Sequence, residues 1–202
     1  MRVELHLHTN RYSGCSTATP SEMMKRLIEL GYGAVYITEH DATWSDWEIA
    51  QIQSGYPEIR IFPGLERSLG SPVRHVLVLG TTDTRYLRLT TEREILDKAR
   101  DEGLLTVLAH PFRWDGGAEM LEAGLLPDAL EHRTNNHDAP PARVAETMAQ
   151  RYNLALVNSG DTHGVGMLGR FWVETDRSLE NADDIRREIL NGRYRNRTSE
   201  ET

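Results

Sequence analysis

The sequence predicts an α/β domain built on a mainly parallel sheet. Three observations carry that expectation. Short apolar runs of strand length alternate with capped stretches of helix length several times over. No Pro/Gly/Ser-rich linker interrupts the alternation, so residues 1–202 read as one domain. Nearly every histidine, together with a few carboxylates, lies in a short polar segment that ends or follows one of the apolar runs. At 202 residues, folding buries roughly 70% of the unfolded chain's surface, so no covalent staple is needed.

Residues 2–7 read as the first strand. Thr19-Pro20-Ser21-Glu22 is a capping box with proline at the first helical position, and the helix it opens stops near Gly31. Residues 34–38 form a second strand and 44–52 a short helix. A third strand at 59–62 ends at Pro63-Gly64. A fourth, at 73–79, is expected to be antiparallel or at an edge, because its link to the third is short. Thr91-Glu92-Arg93-Glu94 caps a helix that ends at Gly103, and the continuously apolar run 104–109 reads as a strand buried on both faces. The rhythm then repeats: a short helix at 118–123, a strand at 128–131, a helix at 142–152 and a strand at 154–158. A strand at 171–175 and a helix capped by Asn181-Ala182-Asp183-Asp184 follow, and residues 198–202 are expected to fray. Seven or so strands suit a small or distorted β/α barrel, with a doubly wound open sheet as the alternative. Polar residues at so many strand ends favour the barrel, which gathers those ends into one rim.

The formal net charge of −8 argues against an extended nucleic-acid surface, although a nucleotide or short oligonucleotide is compatible with it. Cys15 is the only cysteine, so no internal disulfide forms, which fits a reducing compartment. No apolar run approaches the ~18 residues of a membrane span. The first strand starts almost at Met1, so no signal peptide is expected, and the expected location is cytoplasmic.

His6 and His8 lie one residue apart on a strand, where i and i+2 share a face, so both project toward one point. The segments Thr38-Glu39-His40-Asp41, Pro63-Gly64-Leu65-Glu66, Arg74-His75, Ala109-His110-Pro111 and Gly160-Asp161-Thr162-His163 supply further imidazoles and carboxylates. A donor set without paired cysteines suits catalytic zinc, manganese or iron rather than a closed structural zinc site. A carboxylate such as Glu66 can bridge two ions. Ions so held can share a hydroxide and clamp a phosphate ester, so no serine or cysteine nucleophile is required. The chain also lacks G-x-S-x-G and a P-loop.

This ordered series, H-x-H, T-E-H-D, G-L-E, a histidine opening an apolar strand, A-H-P and S-G-D-T-H, resembles the PHP family of polymerase-associated and histidinol-phosphatase domains over residues 3 to about 170. The resemblance implies a distorted (β/α)7 barrel, TIM-barrel-like, with two or three divalent metal ions and phosphoesterase activity. It implies that His6, His8, Glu66 and Asp161 hold a first metal, and that Glu66 bridges to a second completed by His75 and His110. It further implies a third ion on His40 and His163. In the family another ligand follows the H-x-H pair. Here Cys15 stands nearest that position, read either as a ligand or as a small buried residue.

Of the arginines near these segments (Arg67, Arg113, Arg133 and Arg170), Arg113 and Arg170 are the better candidates to grip a phosphate, each lying in a loop just beyond a ligand. Glu4 and Asp41 flank ligands and read as hydrogen-bond partners for imidazoles or as solvated carboxylates. Trp44 and Trp47 read as core, or as a pocket wall. His132 and His137 read as surface or rim residues. The expected activity is attack on phosphorus by a metal-bound hydroxide. Glu66, Asp161 and His163 sit at the catalytic centre, and the substrate is a small phosphomonoester, nucleotide or short oligonucleotide. The alternatives are an amide or lactone hydrolase on the same cage, and a sensor that binds a phosphorylated ligand without turning it over.

Overall fold

The structure is a computed structural model that describes residues 1–114, 116–137 and 139–201. Its strands are β1 (Arg2–Leu7), β2 (Ala34–Ile37), β3 (Arg60–Leu69), β4 (Arg74–Leu79), β5 (Leu105–Ala109), β6 (Ala129–Glu131), β7 (Ala155–Val157), β8 (Phe171–Thr175) and β9 (Tyr194–Thr198). The helices are α1 (Pro20–Glu29), α2 (Asp46–Gly55), α3 (Glu92–Glu102), α4 (Gly117–Glu122), α5 (Ala139–Tyr152) and α6 (Asp184–Leu190). The nine strands form one sheet in the order β7-β6-β5-β4-β3-β2-β1-β8-β9. The sheet curls into a nearly closed barrel. Its two edges meet through side chains: Asn196 of β9 accepts from the Asn158 amide at 2.7 Å and donates to the Leu156 carbonyl at 2.9 Å. The Tyr194 hydroxyl donates to the same carbonyl at 2.7 Å.

The sheet is mixed rather than mainly parallel. Four neighbouring pairs run parallel and four antiparallel. The short β3–β4 link leaves no room for a helical crossover, so β4 runs back along β3, as expected. It is not an edge strand, because β5 pairs on its other side. The polar strand β9, Tyr-Arg-Asn-Arg-Thr, has no apolar alternation and escapes a sequence reading. It pairs with β8 in full register from Phe171↔Thr198 to Thr175↔Tyr194. Thr198 therefore ends a strand rather than fraying, residues 199–201 form a 3-10 turn, and Thr202 lies outside the described residues.

The predicted caps of α1 and α3 form as reciprocal boxes, Thr19 with Glu22 and Thr91 with Glu94. Gly103 ends α3 at φ +72, where a side chain would be strained. Ser45 and Glu48 make a third box that starts α2 two residues later than expected. α6 starts at Asp184, whose own carboxylate takes the Glu180 and Asn181 amides at 2.7 and 2.9 Å.

Alternation sorts the side chains into layers. Val3, Leu5, Ala34, Tyr36, Phe62, Leu77, Leu79, Leu105 and Val107 pack inside the barrel, with Ile185 and Ile189 of α6 joining the same cluster. Val35, Ile37 and Ile61 face α1 and α2, while Leu65, Val78 and Leu108 face α3, α4 and α5. Among the described residues no helix is long and apolar enough to cross a membrane.

Candidate metal centre

The interior-facing registers that bury Tyr36, Phe62 and Leu77 continue, at the C-terminal ends of β2 and β3 and the start of β4, into His40, Glu66 and His75. Two other ligand positions depart from simple alternation. β1 changes register between Glu4 and Leu7. Val3 and Leu5 therefore face the interior while Leu7 faces α1, and His6 and His8 turn inward on the far side of the bulge. The His6 amide at the irregularity is taken by Glu4 Oε1 at 3.1 Å. In β5, Leu105, Val107 and Ala109 face inward, so the next residue would point out. His110 adopts φ +30, which brings its ring back to the cage. Asp161 is also left-handed, at φ +45. Such conformations cost about 1–3 kcal/mol each and persist only where the surroundings enforce them.

The loop after β7 lies along the end of β1. His8 N–H donates to Thr162 O at 2.9 Å and Thr162 N–H to His6 O at 3.2 Å, so Asp161 and His163 flank the two histidines. Gly160 is essential to this approach: a Cβ there would lie 2.6 Å from Glu4 Oε2 and 2.2 Å from Thr162 Oγ1.

These residues converge on one buried cage. His6 Nε2 and His8 Nε2 are 2.9 Å apart, and each is 3.2 Å from Glu66 Oε2. Asp161 Oδ1 is 3.6 and 3.5 Å from the same two nitrogens. His40 Nδ1 approaches Glu66 Oε2 at 2.8 Å. On the other carboxylate oxygen, His75 Nδ1 and His110 Nε2 lie at 2.7 and 3.2 Å. The rings of His6 and His110 are 6.1 Å apart, close enough to serve neighbouring ions. Three overlapping groups have ligand atoms within 4.8 Å of one another: His6, His8 and Asp161; His40, Glu66 and His75; and His8, His40 and His163. The first group holds His6, His8 and Asp161 of the expected first-metal set, while Glu66 falls in the second group with His40 and His75. His40 faces both ways, toward Glu66 and toward His163, whose Nε2 is 3.4 Å from its own.

The hydrogen bonding makes this donor set one for cations. Glu131 Oε1 accepts from His6 Nδ1 at 2.8 Å, so the neutral ring carries its proton there and presents a lone pair at Nε2. Ser13 gives its single proton to Glu39 Oε2 at 2.6 Å, so it can only accept from His8 Nδ1 at 3.3 Å, which leaves His8 Nε2 a lone pair as well. Two lone pairs thus face each other beside Glu66 Oε2, a buried oxygen that makes no well-aligned hydrogen bond although His6, His8 and His40 all approach it. Imidazole nitrogens gathered around such an anion suit a bridging carboxylate between divalent ions. Without them the cage draws protons instead. Burial opposes charge on His6, yet Asp161, Glu131 and Glu66 raise its pKa well above the ordinary value. Burial likewise opposes charge on His8, and its bonds to Asp161 and Glu66 outweigh it. Burial disfavours the Glu66 and Asp161 carboxylates too, but the imidazoles, His6 above all, hold both well below their usual range. His163, half-buried near His8, is pushed down to about 4.

Cys15 does not join the cage: its side chain is exposed and belongs to none of the ligand groups. The loop contributes Ser13 instead, which also accepts the His40 amide at 3.0 Å. Glu131 and Glu39 were not singled out from the sequence. Glu131 binds His6, the Ser159 hydroxyl and, at 2.6 Å, the His110 amide. Glu39 takes the Thr9 amide at 3.1 Å, Ser13, and the Trp44 indole N–H at 3.1 Å. Glu131 carries the same signal as the ligands, a carboxylate on the inward register at the end of an apolar strand. Glu4 bonds backbone amides of His6 and Gly160 rather than an imidazole, and burial pushes its pKa up to about 7.

His137 is fully buried rather than at the surface. Its Nδ1 donates to His132 O at 2.8 Å and its Nε2 accepts from the Phe112 amide at 3.4 Å. His132 is half-buried and bonds Glu146. Asp41 pairs with Arg67, which also donates to Leu89 O, so Arg67 is committed to the fold. Arg113 and Arg170 are exposed and have no carboxylate partner among the described residues. The Arg113 guanidinium lies 4.5 Å over Trp114, whose ring is 5.5 Å from His75 and 5.3 Å from His110. Arg170 lies 5.0 Å over Phe171, and Arg133 approaches the same ring at 5.7 Å. Trp44 is buried and Trp47 is 68% exposed.

The PHP-associated family model matches residues 141–194, the stretch that holds Asp161, His163 and Arg170. No curated protein matches the chain. Among solved structures, 98% of the chain superposes on a two-domain protein from Bacteroides vulgatus containing a predicted PHP-like metal-dependent phosphoesterase, at TM-score 0.74 and 16% identity. The chain spans 64% of that protein's length. A Bifidobacterium adolescentis protein, provisionally a metal-dependent phosphoesterase, matches at TM-score 0.69 and 17% identity over 94% of this chain and 95% of its own. An amidohydrolase from Chromobacterium violaceum, with bound sulfate and no metal, matches at 0.67 and 15% over the whole of both chains.

Proposed function

We propose, for a chain that belongs with the PHP-like proteins by its family segment and its fold, that it is a metal-dependent hydrolase of small phosphate esters. One observation carries the reading: the Nε2 atoms of His6 and His8, whose Nδ1 atoms are turned to Glu131 and Ser13, converge on the buried Glu66 Oε2 in a cage that also holds His40, His75, His110, Asp161 and His163. Two or three divalent ions bound there (zinc, manganese or iron) supply Lewis acidity, polarising a phosphoryl oxygen and acidifying a water.

The chain's own residues do the rest. Glu66 offers one oxygen to each side of the cage and would help hold an ion on each. Glu131 and Ser13 fix the ring tautomers of His6 and His8. Arg113, without a carboxylate partner among the described residues and beside the His75–His110 side, grips a non-bridging phosphate oxygen, with Arg170 the second candidate. Trp114 covers His75 and His110 and limits water on that side. The substrate class is a phosphomonoester, nucleotide or short oligonucleotide. The acidic chain fits no extended nucleic-acid surface, and its single cysteine fits the cytoplasm.

The similarity to an amidohydrolase motivates a second reading, amide or lactone hydrolysis on the same cage. Elemental analysis of unsupplemented protein, with a panel of phosphate esters, amides and lactones, separates the two. The phosphoesterase reading expects bound divalent metal and turnover confined to the esters of phosphate. Turnover of amides alone would replace it.

A further inference from the structure

Arg113, Asn135, Asn136 and Pro141 line a pocket of about 310 Å³. It abuts the cage on two sides. Asn136 Nδ2 donates to Asp161 Oδ2 at 2.7 Å, and the Arg113 amide donates to the His110 carbonyl at 3.0 Å. The orientation of both asparagine amides is forced. Asn135 Nδ2 bonds the Gly160 and Met167 carbonyls at 2.5 and 3.1 Å, and Asn136 Nδ2 bonds Asp161 twice. An oxygen in place of either nitrogen would face acceptors only. Each Oδ1 is left without a protein partner among the described residues. The wall is held in place: Thr134 and His137 pair across the Asn-Asn turn, and the Asn136 amide bonds Thr134 Oγ1 at 2.9 Å. Buried His137 ties the turn to Phe112 in the Arg113 loop.

With both Nδ2 atoms committed to the Gly160, Met167 and Asp161 side, the polar atoms that the lining residues keep for a ligand are two carboxamide acceptors and one cationic donor. We infer that it receives the hydroxyl-bearing part of the substrate, a phosphorylated sugar or polyol. The hydroxyl protons go to Asn135 Oδ1 and Asn136 Oδ1, and an anionic oxygen lies on Arg113. An ammonium group could donate to the same oxygens but would meet the guanidinium charge. An apolar group would strip water from both oxygens and replace nothing. The inference rests on the phosphoesterase reading and narrows its substrate class.

The test is calorimetric binding to metal-reconstituted protein, using non-hydrolysable phosphonate isosteres of ribose 5-phosphate and of n-pentyl phosphate, with inorganic phosphate alongside. The hydroxylated phosphonate should bind at least about tenfold more tightly, as expected where acceptors are built to be paired. Asn135→Ala should reduce that ratio to below about threefold. Equal affinities in the unmodified protein would overturn the inference, and so would a ratio that survives in both Asn135→Ala and Asn136→Ala. If neither phosphonate nor inorganic phosphate binds, the phosphoesterase reading itself fails, an outcome recognisable because all three ligands fail together.

Discussion

Set beside the pocket that Arg113 and Asn136 line, the groove between α1 and α2 is larger, about 470 Å³ against about 310 Å³. It is walled by Trp44, Trp47 and Tyr56, but its charges are spent. Arg11 pairs with Glu48, and Glu48 also takes the Tyr12 hydroxyl at 2.7 Å and closes the cap of α2. The smaller pocket borders metal-ligand candidates and, among the described residues, keeps an arginine without a carboxylate partner and two carboxamide oxygens without hydrogen-bond donors. Volume reports where helices fail to meet. Chemistry resides where polar groups are held in place and left unpaired, because only there does a ligand gain bonds that the protein has not already made.

Breaking the cage should have the largest effect. Glu66→Gln supplies one oxygen and no charge, and should lower kcat/KM by at least about 10³-fold, the upper end for one lost electrostatic group. Circular dichroism should show an intact fold and elemental analysis a loss of metal. Full activity in this variant would remove Glu66 from the mechanism. Next comes Arg113→Ala, expected to cost on the order of 2–4 kcal/mol of transition-state stabilisation. Arg170→Ala should cost less, because Arg170 stacks on Phe171 rather than on the Trp114 ring that touches His75 and His110. The reverse order in steady-state kinetics would move the phosphate grip to the start of β8.

Glu131→Gln should weaken metal binding by about 10–100-fold, the usual cost of removing a carboxylate behind a ligating imidazole. Competition with a chromophoric chelator reads this directly, and unchanged affinity would show that Glu131 does not orient His6. A smaller effect is expected from pH. His6 and His8 have raised pKa values in the metal-free fold, so above the ordinary 6.5 they hold protons that the unfolded chain releases. Their contribution to stability is complete below 6.5 and is lost as pH rises through the raised values. Metal must displace those protons. Calorimetric heats of metal binding at neutral pH should therefore vary with the ionisation enthalpy of the buffer, and affinity should rise with pH. Buffer-independent heats would contradict the raised values. The smallest effect is expected from Trp47→Ala, an exposed side chain in the larger groove, within about 0.5 kcal/mol in stability and threefold in kcat/KM. A large loss of activity there would reverse the ranking of the two recesses.

Much of the cage was legible in the sequence, since a histidine or carboxylate at the inward end of an apolar strand has few other reasons to be there. His40, Glu66 and His75 follow from alternation alone. Cys15 and Ser13 show the limit. The loop after His8 was recognisable as a ligand-bearing stretch, but which side chain faces the cage depends on its turns. These place Ser13 between His8 and Glu39 and leave Cys15 outside. His137 was missed because a polar stretch reads as surface, whereas a side chain that satisfies both ring nitrogens with backbone groups can be buried.

By itself the sequence determined the strand and helix rhythm, the capping boxes of α1 and α3, and the list of imidazoles and carboxylates, because propensity, periodicity and residue type are local properties. Tertiary structure decided how those groups meet. The bulge that turns His6 and His8 inward and the docking of the Gly160–His163 segment along β1 depend on contacts distant in sequence, and the left-handed turns at His110 and Asp161 cost local strain. Such strain persists only when distant contacts enforce it. The same holds for β9, a polar segment with no pattern of its own that is a strand because β8 offers unpaired backbone and Asn196 reaches β7 to bring the barrel edges together. Pairing between residues far apart in the chain leaves no local trace, and so it is settled only in the folded molecule.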